Sequence, residues 1–172
     1  MMKSVMPMIE RDISMPDNNN AVGTVVKVLL AGSLATVVFD LFGQGLSPLA
    51  GFAKLAPVGL ANGTIKALLG VKVAGGGYLL HILVGLLAYP LGWLLIARPL
   101  ADKITPWMPK LLVAVAYGIG LWIFALYIMA HLIVGMKPFL GFTGITWVAL
   151  VGHVIYAIVF LGAWEWLKAR LA

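Results

Sequence analysis

The sequence predicts an all-α integral membrane protein built as a bundle of four transmembrane helices. Three observations carry that reading. Mean hydropathy is +1.04. Of the residues, 62% are hydrophobic and only 10% are charged, against roughly a quarter charged in soluble domains. The apolar residues also fall into four long runs, each with about the 20 residues needed to cross about 30 Å of hydrocarbon. Lipid offers the backbone no hydrogen bonds, so a helix, which satisfies its own, is the economical form for each run.

Residues 1–20 are polar and methionine-rich and close on Asp17-Asn18-Asn19-Asn20. They lack the continuous apolar core of a signal peptide and read as a flexible cytoplasmic tail. Residues 21–172 then form one membrane domain, with spans expected at about 22–43, 78–96, 111–134 and 145–167. Between the first two spans, 46–77 is apolar but broken by Pro48, Pro57, Gly63 and Gly75-Gly76-Gly77. This predicts a short interfacial helix over 58–73, lying across the outer mouth of the bundle. A re-entrant segment is the alternative. Asn62-Gly63-Thr64 fits a glycosylation acceptor, a motif too short to weigh much.

Net charge is +6 and cysteine is absent. Without cysteine there are no disulfides, thiolate-held iron–sulfur clusters or thiol catalysis. The basic residues form no aromatic-interleaved patch, which argues against nucleic acid. They gather instead at span ends. With the N-terminus inside, Lys3, Arg11, Lys27, Arg98, Lys103, Lys110, Lys168 and Arg170 lie on the inner side. Lys54, Lys66, Lys72 and Lys137 lie on the outer side. That bias predicts both termini cytoplasmic, and the setting expected is a bacterial inner membrane.

A faint internal repeat runs through the spans. His81 precedes Ala97-Arg98 by the same distances at which His153 precedes Ala169-Arg170. Asp40 leads to Pro48-Leu49-Ala50-Gly51-Phe52, as His131 leads to Pro138-Phe139-Leu140-Gly141-Phe142. The pattern describes a parallel 2+2 duplication; chance matching among low-complexity segments describes it as well.

Four ionisable residues interrupt the apolar runs, one in each: Asp40, His81, His131 and His153. Such groups are costly in hydrocarbon and are functional-site candidates by default. Counting about 1.5 Å per residue from the basic span ends places all four in the same half of the bilayer. Each has a companion one turn away: Thr36 for Asp40, Tyr78 for His81, Tyr127 for His131 and Tyr156 for His153. Several readings stay open. The four could each be a structural polar group fixing helix register. They could hold a single transition metal, with the companions orienting the ligands. His81 and His153 could ligate a b-type haem, or the set could relay protons. Trp93, Trp107, Trp147, Trp164 and Trp166 read as interfacial belts, and Trp122 as a helix-packing residue.

The stretch Ala35-Thr36-Val37-Val38-Phe39-Asp40 and the late His153-Val154-Ile155-Tyr156 resemble the YagU-like group, small four-helix bacterial inner-membrane proteins of unknown function. The resemblance implies a prokaryotic four-helix membrane protein and brings no catalytic residues with it. No nucleophile–base order, phosphate loop or dinucleotide fingerprint occurs. The function expected is therefore non-enzymatic: an accessory subunit of a larger membrane complex, in contact with lipid and other membrane subunits. The alternative is a redox, metal-binding or haem-binding protein built on the His/Asp set.

Overall fold

A computed structural model describes residues 18–171, and they are helical with no strand among them. The first helix, α1, runs regularly over Asn18–Asp40 and continues through a widened stretch, Leu41–Leu46, to Leu49. A short helix, α2 (Pro57–Leu69), follows, then the long α3 (Gly76–Ile104), α4 (Lys110–Ile133) and α5 (Gly144–Arg170). Helices α1, α3, α4 and α5 are long and apolar enough to cross a membrane. The described residues thus form an all-α membrane protein with four candidate spans. Most of the expected tail lies outside the described residues, and α1 already begins within its last three.

Each long helix carries turns wound with i→i+5 hydrogen bonds, α5 excepted. In α1 and α3 the cause is proline. Proline has no amide hydrogen and its ring presses on the carbonyl four residues back. The residue just before each proline therefore reaches one carbonyl further: Ser47 to Phe42, Tyr89 to Val84 and Arg98 to Trp93. Such widened turns keep backbone groups paired where lipid could not. In α4 the wide stretch, Phe124–Ile133, ends at Gly135, whose φ of +82° stops the helix.

Helix α5 is the centre of the bundle. It packs along both α1 and α4, while α3 packs mainly against α1. The order round the bundle is thus α3–α1–α5–α4. Helices α3 and α4 meet over one short stretch, where Trp93 and Tyr117 stack edge to face at 5.6 Å. Close approach depends on two glycines. A Cβ on Gly32 of α1 would lie 2.9 Å from the Leu86 carbonyl of α3, and one on Gly118 of α4 would lie 2.6 Å from Val154 Cα of α5. Small residues at such crossings let transmembrane helices pack backbone to backbone.

Helix α2 covers one end of this arrangement, touching the start of α3 and the end of α4. Pro57 opens it and Gly70, at φ +73°, closes it. It is a short helix between the first two spans, as expected, though shorter than 58–73. The Asn62 side chain accepts the Gly77 amide at 3.0 Å and Thr64 is buried, so the glycosylation-like triplet is occupied structurally.

The α4–α5 connection is unusual. Phe139, Leu140, Gly141 and Phe142 all have positive φ, between 48° and 70°. Left-handed backbone costs about 1–2 kcal/mol for each non-glycine residue, so something must hold it. The Phe139 ring stacks with Trp122 (4.7 Å), Tyr127 (5.5 Å) and Phe142 (5.3 Å). The Thr146 hydroxyl donates to the Phe139 carbonyl, and Trp122 Nε1 donates to the Thr146 carbonyl at 3.0 Å. Trp122 does pack a helix interface. Trp93 and Trp164, expected in surface belts, are buried, because both point into the α5-centred core.

Candidate functional site

Asp40 stands at the last regular turn of α1 and His81 near the start of α3, both at the end covered by α2. His81 Nε2 lies 3.0 Å from each Asp40 oxygen, so the imidazole N–H donates across the helix interface to the carboxylate. The side chains are 15% and 31% exposed. One turn after Asp40, the Gln44 side-chain amide donates to Oδ1 at 2.8 Å. A carboxylate with two donors is well satisfied away from water. The remaining His81 nitrogen, Nδ1, has no hydrogen-bond partner among the described residues.

His153 lies in the middle of α5 and is buried. Its Nδ1 is 2.7 Å from the Ala149 carbonyl one turn back. A carbonyl only accepts, so Nδ1 carries the hydrogen and Nε2 is left as the bare acceptor of a neutral ring. The Phe39 ring touches both histidines, with centroids 5.1 Å from His153 and 6.3 Å from His81. On its other side His153 faces Tyr89, 6.1 Å away.

His131 is elsewhere. Its Nδ1 donates to the Met136 carbonyl at 2.7 Å, closing the end of α4, and Tyr127 stacks on it at 5.4 Å. The structure pairs Asp40 with His81 and sets His153 beside them across Phe39. His131 serves its own helix end, and among the described residues no three His, Asp or Glu groups could hold a metal ion together. The physical reason is that each histidine except His81 meets its own backbone carbonyl before it meets a partner.

Most of the companions bond elsewhere. The Thr36 hydroxyl donates to Gly32 O at 2.7 Å and not to Asp40. Tyr156 reaches Gly85 O on α3 at 2.6 Å instead of His153. Tyr78 is 65% exposed, and no hydrogen bond or ring pairing joins it to His81. Only Tyr127 touches its expected histidine. Residues that the sequence reading missed are Gln44, Phe39 and Tyr89. Gln44 sits one turn after Asp40, so the same spacing rule finds it. Tyr89 follows the widened stretch Val84–Ala88, which shifts every later residue of α3 off an ideal helical wheel.

Beside these residues lies a cavity of about 1030 Å³, between α3 and α4 and beneath α2. That is the upper end of the range for small-molecule sites, roughly 300–1,000 Å³. Its wall is apolar apart from a few groups, chiefly His81, His153, Tyr89, Tyr117, Tyr156 and Thr36. Among the described residues, no lysine, arginine or carboxylate lines it.

No family model, curated protein or solved structure matches this chain. The YagU-like resemblance accordingly rests on the span layout and two short motifs.

Proposed function

We propose that this membrane protein binds a lipophilic small molecule inside its bundle, without catalysing a reaction of its own. The observation that carries this is the cavity between α3 and α4, large, apolar and furnished with a few convergent polar groups. Hydrocarbon parts of a ligand gain by filling it, and the histidines and tyrosines orient whatever polar group the ligand bears. The Asp40–His81 pair supports the cavity by tying α1 to α3 where the wall begins.

A blocking variant tests the reading. Gly120 lines the cavity and a Cβ there meets nothing within 4 Å, so Gly120→Trp projects a ring into the space without a clash at its base. Native mass spectrometry of the detergent-solubilised protein is expected to show a long-chain amphiphile retained by the parent and lost from the variant. Equal retention by both, or none by either, overturns the proposal.

Service as an accessory subunit fits the same reading, since a bound lipophile is of use to a neighbouring enzyme. The apolar outer faces of α1 and α4 supply the surface for such a neighbour or for lipid. A second chain co-purifying in mild detergent supports the subunit role, and a clean monomer counts against it. The twofold excess of basic residues on one side supports a bacterial inner-membrane setting with both termini cytoplasmic.

A further inference from the structure

We infer that His153 Nε2 and the Tyr89 hydroxyl form a head-group site for a lipid carrying a neutral hydroxylated ring, a phenol or quinol. The inference rests on the cavity-binding reading and names the class of ligand.

The argument begins with a buried atom that lacks a partner. His153 is only 5% exposed, and its Nδ1 hydrogen is committed to Ala149 O. Nε2 has no hydrogen-bond partner among the described residues. Yet none of their fully enclosed polar side-chain atoms is unpaired. Nε2 must therefore open onto free space, and the space His153 lines is the cavity. The same reasoning applies to Tyr89. Its backbone carbonyl accepts the Tyr117 hydroxyl, while its own hydroxyl has no partner among the described residues and its ring lines the cavity.

A bare imidazole nitrogen accepts a hydrogen bond and a tyrosine hydroxyl gives or takes one. The group complementary to both is a hydroxyl, which donates to Nε2 and accepts from Tyr89. An anionic head is disfavoured, because no lysine or arginine among the described residues lines the cavity and the Asp40 carboxylate stands nearby across His81. A ring suits the walls. Phe39 meets His153 edge-on at 5.1 Å, and Tyr89 meets Tyr156 edge-on at 5.5 Å, the geometry in which aromatic groups pack best. An alkyl tail then fills the apolar remainder.

Three probes and two variants decide the matter: a long-chain para-alkylphenol, its methyl ether and an alkanecarboxylate of matching length. The parent is expected to bind the phenol about tenfold more tightly than the ether, which cannot donate, and to bind the carboxylate weakest. Tyr89→Phe and His153→Phe each keep a ring and are expected to weaken the phenol about tenfold, the scale of one hydrogen bond; the ether, whose oxygen still accepts from Tyr89, is expected to weaken in Tyr89→Phe and to stay unchanged in His153→Phe. His153→Phe also loses the bond to Ala149, so if that variant does not fold, Tyr89→Phe decides alone. Equal affinity for phenol and ether, an unchanged phenol affinity in Tyr89→Phe, or a bound phospholipid that phenol fails to displace overturns the inference. Should phenol and ether bind equally well and both be lost in Gly120→Trp, the head-group site fails while the cavity reading stands. Should none of the three bind, the cavity reading itself fails.

Discussion

His81 Nε2 is equidistant, at 3.0 Å, from the two carboxylate oxygens of Asp40. A single imidazole N–H thus straddles a carboxylate on the neighbouring helix, and Gln44 secures one of the same oxygens from within α1. The pair fixes both the spacing and the register of α1 against α3. Close packing through Gly32 needs that register, because its backbone contact with Leu86 and Gly85 is intolerant of slippage.

Asp40→Ala and His81→Ala are each expected to lower stability in detergent, and the double variant to lose less than the sum. Interhelical polar contacts in membranes are worth about 0.6–2 kcal/mol, so a coupling of that size is expected in a double-mutant cycle. Strict additivity would show that the two side chains do not interact.

Gly118→Ala places a methyl 2.6 Å from Val154 Cα and 2.8 Å from the His153 carbonyl. Backbone cannot move aside as a side chain can, so a loss of about 1–3 kcal/mol is expected. Gly162→Ala is the control. Its Cβ meets nothing within 4 Å, and alanine is favoured over glycine in a helix by about 1 kcal/mol. Thermal unfolding should separate the two in opposite directions.

Thr146→Val keeps the shape of a fully buried side chain but removes the hydroxyl that holds Phe139 O. An unsatisfied buried acceptor costs about 1–3 kcal/mol, and here it is added to a backbone already strained. Hydrogen exchange is expected to accelerate over 137–143 while the middle of α5 stays protected. Unchanged exchange there would mean that the aromatic stack alone maintains the left-handed turn.

Pro90→Ala restores an amide hydrogen in α3. The wide turn over Val84–Ala88 is then free to tighten, which rotates Tyr89 relative to His81. Lipophile binding is expected to fall several-fold with far less effect on unfolding temperature, and a variant that binds normally would detach the proline from the site's geometry.

The four spans and the cross-helix were legible because hydropathy and length report on the solvent, and the bilayer is a demanding one. The site was legible only in part. Isolated ionisable residues drew attention to Asp40, His81 and His153, which the fold places near one another, and by the same rule to His131, which caps its own helix. Sequence spacing assumes a uniform helix, and the stretches before Pro48, Pro90 and Pro99 are not uniform. Tyr156 shows the second reason. Its position one turn from His153 suggested a local bond, but a closely apposed α3 offered the Gly85 carbonyl instead. Which acceptor lies nearest depends on the helix opposite, and no pattern within one helix encodes that.

The central place of α5 has a bearing on how the protein is made. A chain enters the membrane from its N-terminus, so α1, α3 and α4 are all present before the helix that α1 and α4 both need. Until α5 arrives, α4 has only α2 and a brief crossing with α3 to hold it. The three spans before it are therefore a waiting assembly, and α5, synthesised after them, closes it. Loss of α5 should leave inserted but unassembled helices, a natural substrate for membrane quality control, whatever the state of the residues that line the cavity.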